Sequence, residues 1–459
     1  MTKHKVFLVA KLMLLLPFLT QCNSFLDIPP SPQLIESEAL LSNEATAQSA
    51  VNSVYTSMRS LAPSILNGAA AIFAGLAGDE LKPSVENQIY AAFYQNTLTA
   101  DNNTIGSNFW TPAYQIIFRC NALIEKLQEN NALKENVRNR LLGELLTARA
   151  LVNTYLVGFF GRIPLVLTSD YTINATLPQS EYNEVMLQVV DDLETARRYF
   201  GVPSSAEPKI RPSYWAATAL LARISLEIGA YDLAVAYADE ITNSGMYQLS
   251  SDLGNLFSIG NDETIWEIAP PYGTDNTPLG YAFISQSPNY FSPILLREEL
   301  VNIFEPGDKR LTDWINCLEI DGTMGCSPSK YKHYQIGQTF EYLVVFRLAE
   351  QYLIRAEAHF MNGSYENALE DLNVIRSRAG LDKVSDLPTE GELWGLVVNE
   401  RRRELFAEWG HRWFDIRRWG MLDDIKKGEN PNWKSEYALF PIPEQQLNNN
   451  YNLIQNPGY

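Results

Sequence analysis

The chain has 459 residues, 46% hydrophobic and 20% charged, enough to bury one large core or two ordinary ones. That composition excludes a disordered, collagenous or small disulfide-framework protein. Thirty-six Lys and Arg against 54 Asp and Glu give a net charge of −18, which phosphate backbones would repel, so no nucleic-acid partner is expected. Four Cys and four His, with no zinc-knuckle spacing, give no basis for a metal site or other cofactor.

The first residues combine Lys3, Lys5 and Lys11 with an apolar run, Leu12 to Leu19, broken by Pro17. The run is too short to cross about 30 Å of hydrocarbon, but it fits the apolar centre of a secretory signal over 1–21. Cys22 follows Leu19-Thr20-Gln21, a pattern resembling the lipobox of bacterial lipoproteins, although Gln21 stands where a small residue is usual. Cleavage there would make Cys22 a lipidated first residue that holds the chain on a membrane by its acyl chains. The competing interpretation is an ordinary secreted protein with an incidental cysteine.

From Ser42 the apolar period is helical. Ala47, Ala50, Val51, Val54, Tyr55 and Met58 share one face, with Ser42 placed to cap it. Val137, Leu141, Leu145, Ala148, Val152, Tyr155 and Phe159 form a longer stripe that Gly161 and Pro164 end. Helical patterns return at 181–200, 213–243, 342–378 and 392–408. Two segments share the form Gly-x-Tyr-acid-x-Ala, one from Gly229 through Tyr231 to Ala234 and one from Gly363 through Tyr365 to Ala368. This spacing belongs to the helix–turn–helix unit of a tetratricopeptide repeat: glycine for the turn, tyrosine beneath it, alanine for close helix approach.

Residues 254–293 hold nine Gly or Pro and seven aromatics, so they predict long loops and short strands. A second such stretch, 305–341, contains Cys317 and Cys326 around Asp321-Gly322. These two could close a disulfide at a loop tip, or remain two free or buried thiols.

The sequence resembles the SusD/RagB family of outer-membrane nutrient-uptake lipoproteins. The likeness begins with Cys22 to Asp27 and continues through Trp110, Tyr114, Ile117 and Asn121 at the family's W-x3-Y-x2-I-x3-N spacing. It runs on through Arg347 to Ala358, Asn373 to Leu381 and, most specifically, Glu400 to Gly420, and ends with Leu439 to Pro443 and Gln455 to Tyr459. The resemblance implies a mainly α, SusD-like fold: tetratricopeptide-like helix pairs on one side and a loop-rich face with short strands on the other. It implies one domain over 22–459, with the loop-rich insertion at about 245–341. It further implies capture of an oligosaccharide, or alternatively a peptide, and delivery to a SusC-like TonB-dependent barrel transporter in the outer membrane.

Sugars are held by stacking their C–H faces on aromatic rings, while amides, carboxylates and Arg bond the hydroxyls. The candidate rings are Tyr90, Phe93 and Tyr94, which follow Asp79-Glu80, and Tyr272, Tyr281, Tyr290 and Phe291. For each of them core packing is the competing role, and Trp266, in an alternating strand-like run, is assigned to the core. Lys82, Arg297 or Lys330 would make the pocket locally basic.

The segment Glu400 to Trp419 gathers His411, Asp415, Glu404, Glu408 and six Arg. Arg401 and Glu404 can pair along a helix, and the segment is expected to form a partly buried ion network rather than a catalytic site, since no nucleophile accompanies the histidine. A surface glycoside hydrolase would need two facing carboxylates. The doublets Asp79-Glu80, Asp191-Asp192, Glu298-Glu299 and Asp423-Asp424 are the candidates, with Asp191-Asp192 and Asp423-Asp424 expected on solvated faces. No Ser, zinc or nucleotide motif is present, so no enzyme is expected. An adaptor that binds proteins along its helices is the remaining class.

Overall fold

The computed structural model describes residues 41–459 apart from 60–62, 206, 271–275, 336, 338–339 and 432. The leader, Cys22 and Tyr272 therefore lie outside the described residues. The fold is mainly α. In chain order α1 is Glu44–Met58, α2 Ala69–Ala77, β1 Leu81–Pro83, α3 Gln88–Tyr94, α4 Thr111–Gln128, α5 Glu135–Phe160 and α6 Tyr182–Phe200. Next come α7 Tyr214–Glu227, α8 Tyr231–Thr242, β2 Thr264–Ile268, α9 Pro278–Phe283, β3 Ile294–Leu296, β4 Ile315–Ile320, β5 Thr323–Pro328 and β6 Leu343–Arg347. Six α-helices complete the chain: α10 Leu348–Met361, α11 Tyr365–Arg378, α12 Glu390–Leu405, α13 His411–Arg418, α14 Leu422–Glu429 and α15 Glu444–Asn449.

Each main helix follows its apolar stripe. The cap of α1 is Asn43 rather than Ser42: its side chain accepts from the Thr46 N–H at 3.1 Å. The helical pattern at 342–378 resolves into a strand and two helices, because Leu343 to Arg347 are all buried and pair with β2 before the helix begins. Both repeat motifs form the predicted turns. Gly229 and Gly363 adopt φ of +75° and +74°, a region that other residues enter at a cost, and Ala234 and Ala368 are fully buried between paired helices. α7 packs on α8, α8 on α10, and α10 on α11.

Strands pair two by two. β1 runs antiparallel to β3, with Leu81 opposite Leu296, and β2 runs antiparallel to β6. Trp266 of β2 is fully buried against Phe346, ring centroids 5.9 Å apart. β4 and β5 form a hairpin that turns at Asp321-Gly322, both at positive φ, and Cys317 lies opposite Cys326 in a disulfide.

The W-x3-Y-x2-I-x3-N helix is α4. Trp110 packs against Tyr114 with centroids 5.0 Å apart, and the Tyr114 hydroxyl donates to the Pro164 carbonyl at 3.0 Å. Buried Asn121 donates to the Val166 carbonyl and accepts from Arg149, whose guanidinium also grips Asp192. Asp192 is thus a buried ion-pair partner and not part of a solvated face, while Asp191 beside it is exposed.

Candidate functional site

The charged C-terminal motif is buried. Arg347 contacts Glu404, Glu408 and Glu263 at 2.6, 2.9 and 3.1 Å, and Arg310 contacts Asp308, Glu400 and Glu404 at 2.8 to 2.9 Å. Burial pushes the Glu404 carboxyl up, but Arg378, Arg347 and Arg310 outweigh it and hold it well below its ordinary value. Arg401 does not pair with Glu404 along α12; it reaches across to Asp415 of α13 at 2.9 Å. His411 is buried, and desolvation with the surrounding guanidinium groups drives its pKa far down, leaving a neutral imidazole. These contacts tie α12 and α13 to β2 and β6.

Lys330 belongs to this network too. It is buried with its ammonium 4.2 Å from the Phe406 ring centre and pairs with Glu408, so it is not a ligand contact. Asp79 and Glu80 are also interior. Burial raises Asp79, but Arg412 and Arg402 outweigh it and bring its pKa to about 2; burial and the Asp79 charge push Glu80 up to about 8. Carboxyls so split suit acid–base work in a cleft, yet Glu80 is 1% exposed and no sugar bond could reach it. Asp423, half-buried, accepts from the Trp433 indole at 2.9 Å, while Asp424, Glu298 and Glu299 are exposed.

The doublet instead roots a ribbon. The Glu80 carbonyl accepts from the Arg297 N–H at 2.8 Å, Lys82 lies opposite Leu295, and the Ser84 N–H donates to the Pro293 carbonyl at 3.0 Å. This pairing sets side by side the strands next to the two groups of candidate rings, 90–94 and 281–291, with α9 packed on β3.

The rings then sort by environment. Phe93 is fully buried, its ring 4.5 Å from Phe73 and 5.5 Å from Phe440; it is core, because its face of the helix packs on Phe73 and Phe440. Tyr90 is half-buried and leans on Phe73. Tyr94 is half-buried with the Arg297 guanidinium 5.9 Å from its ring centre, and both line a cleft of about 330 Å³ with Gln95, Thr97, Glu429 and Asn430. Arg297 is held there by Glu429 at 2.7 Å. Tyr281 is 48% and Tyr290 72% exposed, and the Ser285 hydroxyl donates to the Tyr290 carbonyl to fix the loop. Phe291 is half-buried and packs over Gly325 of the hairpin, where a Cβ would fall 2.5 Å from the ring. Lys82 is partly exposed and paired with Glu298 at 3.3 Å.

Sequence reasoning missed Tyr334. Its ring meets Tyr281 edge-on at 5.9 Å, and the approach depends on Gly280, where any Cβ would collide with the His333 carbonyl oxygen. The aromatic pair Tyr331 and Tyr334 within the second loop-rich stretch is the signal that could have found it. These groups suit binding: Tyr281 and Tyr290 are exposed rings, Tyr90, Tyr94, Phe291 and Tyr334 are half-buried ones, and Tyr94 has a guanidinium, a carboxylate and amides beside it. Among the described residues no group of His, Cys, Asp and Glu is arranged to hold a metal ion, and no helix is long and apolar enough to cross a membrane.

Comparison with known proteins agrees with this architecture. Residues 325–459 match the SusD family, and residues 24–226 match a family described as starch-binding and associating with the outer membrane. SusD-like protein P25 of Formosa agariphila is 24% identical over 77% of this chain and 80% of its own. Starch-binding protein SusD of Bacteroides thetaiotaomicron is 41% identical over a quarter of this chain (25%) and 21% of its own. A solved structure, a laminarin-binding SusD-like protein, superposes with a TM-score of 0.76 over 91% of this chain and 100% of its own at 23% identity, a likeness of fold.

Proposed function

The chain belongs to the SusD/RagB family, and from that premise we propose that it captures a soluble oligosaccharide at the cell surface without altering it. The family is one of starch- and glycan-binding proteins. The observation that carries the proposal is the β1–β3 pairing, which joins the segment leading to Tyr94 to the one that bears Tyr281, Tyr290 and Arg297, with Arg297 against Tyr94 and Tyr334 against Tyr281. Stacking rings beside charged and amide groups are what a sugar's alternating C–H and hydroxyl faces require. The named relatives, one starch-binding and one laminarin-binding, support the same ligand class.

In this proposal Cys22 carries lipid that holds the protein on the outer membrane, and the captured glycan passes to a SusC-like TonB-dependent transporter. The burial of both carboxyls of the 79–80 doublet and of His411 favours binding over hydrolysis. A glycan array followed by calorimetry on the purified chain tests the proposal: one glycan class binds saturably, is recovered intact, and binds at least about tenfold more weakly to Y281A or Y290A. Unchanged affinity in both variants removes the platform, preferential binding of peptides replaces the ligand class, and released product replaces capture with catalysis. Retention of C22S in the membrane fraction removes the lipid anchor.

A further inference from the structure

A second cleft, of about 870 Å³, is built from elements that the loop site does not use: α4, the segment 164–175 and the C-terminal segment 446–453. Its size lies within the range of small-ligand sites. Four rings line it, the buried Trp110 among them. Tyr114 is half-buried and fixed by Trp110 and the Pro164 carbonyl, while Phe118 is 49% and Tyr171 78% exposed.

The polar groups of the lining divide in two. Asn450 donates to the Leu177 carbonyl at 2.8 Å and Asn174 to the Thr168 carbonyl at 2.8 Å, so the far wall is braced before any ligand arrives. Gln115, Arg119, Gln446 and Asn449 line the same cleft, and none of their side chains has a hydrogen-bond or ion-pair partner among the described residues. Arg119 is the one charged residue of the lining, in a chain of net charge −18. A cleft of rings and free amides that lacks carboxylates offers little to a cationic or purely apolar ligand, and a single guanidinium is too little to balance a polyanion. What it matches is an uncharged polyhydroxylated molecule with apolar faces.

We propose that this cleft is a second, independent binding site for a neutral oligosaccharide, with Tyr171 and Phe118 as stacking rings and Gln115, Gln446 and Asn449 as hydroxyl partners. It stands whether or not the loop site binds glycan.

The test starts from the full chain carrying Y281A and Y290A, so that the loop site is disabled. This variant is screened against an array of neutral gluco-, galacto-, manno- and xylo-oligosaccharides, and the strongest ligand is titrated by calorimetry. Binding should persist and weaken by about tenfold or more when Phe118→Ala and Tyr171→Ala are added. Both rings are solvent-facing, so the thermal midpoint should stay where it was, and Q446A, which removes no ring, should give a smaller loss. Absence of binding to every array member, or binding indifferent to the two ring substitutions, overturns the proposal. Full retention of wild-type affinity in the Y281A/Y290A chain, with loss on removing Phe118 and Tyr171, supports this site and overturns the loop platform instead.

Discussion

Arg412 grips Asp79 through two hydrogen bonds, Nε to Oδ1 at 2.8 Å and Nη2 to Oδ2 at 2.7 Å, across 333 residues of sequence. The pair joins the C-terminal motif to the base of the β1–β3 ribbon, so the most family-typical segment braces the loops that bear the candidate rings. Arg402 adds a third contact to Asp79 at 3.2 Å. Asp79→Asn leaves two guanidinium groups buried without their anion and is expected to cost about 3–5 kcal/mol, read from denaturant unfolding at pH 7. The pH dependence has a definite sign. Asp79 falls from 3.8 to about 2 in the fold, so its contribution is present above pH 3.8 and drains away as pH drops from there toward 2. The Asn variant should lack that segment of the acid-unfolding curve; an unchanged curve would mean that Asp79 is not held ionised by Arg412.

Glu80 behaves oppositely. Its carboxyl is raised from 4.5 to about 8, first by burial and then by the Asp79 charge, and its Oε1 is buried with no hydrogen-bond partner among the described residues. Folding therefore keeps it protonated while the unfolded chain ionises it. Its presence is neutral below pH 4.5 and increasingly destabilising up to about pH 8. Glu80→Gln should match wild type at pH 4 and exceed it by about 4 kcal/mol at pH 8. Equal stability at both values would show that Glu80 ionises in the folded protein.

The helices were legible because one-sided burial writes a 3.6-residue period, and α5 and both repeat turns followed their patterns closely. β6 was read as helix because a strand buried on both faces, Leu343 to Phe346, has no alternation to betray it. Phe93 was grouped with Tyr90 and Tyr94 because nothing local says which face of a seven-residue helix meets Phe73. Asp192 looked solvated because Arg149, its partner, lies 43 residues away. The loops that bear the candidate rings depend on β1 meeting β3 across more than two hundred residues, and they fall largely in 227–324, between the two segments matched to known families. Pairing at that separation leaves no trace in spacing.

Gly325 tests whether the hairpin supports the loop site. A methyl there would sit 2.5 Å from Phe291 and 3.1 Å from Leu295 of β3. Gly325→Ala should displace the Phe291 ring, lower stability by about 1–3 kcal/mol through overpacking and weaken glycan binding. Gly395→Ala is the control: it lies in α12, nothing stands within 4 Å of its added carbon, and it should stabilise by about 0.5–1 kcal/mol with affinity unchanged. Equal affinity in both variants would disconnect the hairpin from the site.

The Cys317–Cys326 bond closes a separation of nine residues in a hairpin whose register the Asp321-Gly322 turn already sets. A short loop that is pre-organised leaves little unfolded-state entropy to remove, so the bond should contribute no more than about 2–3 kcal/mol. Reduction should leave the protein folded with a lower unfolding midpoint. Thiol labelling followed by peptide mass analysis separates the three described cysteines. Cys120 is fully buried and burial pushes its thiol up to about 12, so it should react only after denaturation. Cys317, on the exposed side of β4, and Cys326 should react in the native protein only after reductant is added. Labelling of Cys317 without reductant would show that the bond does not form, and the hairpin would then be held by its strand pairing, its turn and its packing against Phe291 and Leu295.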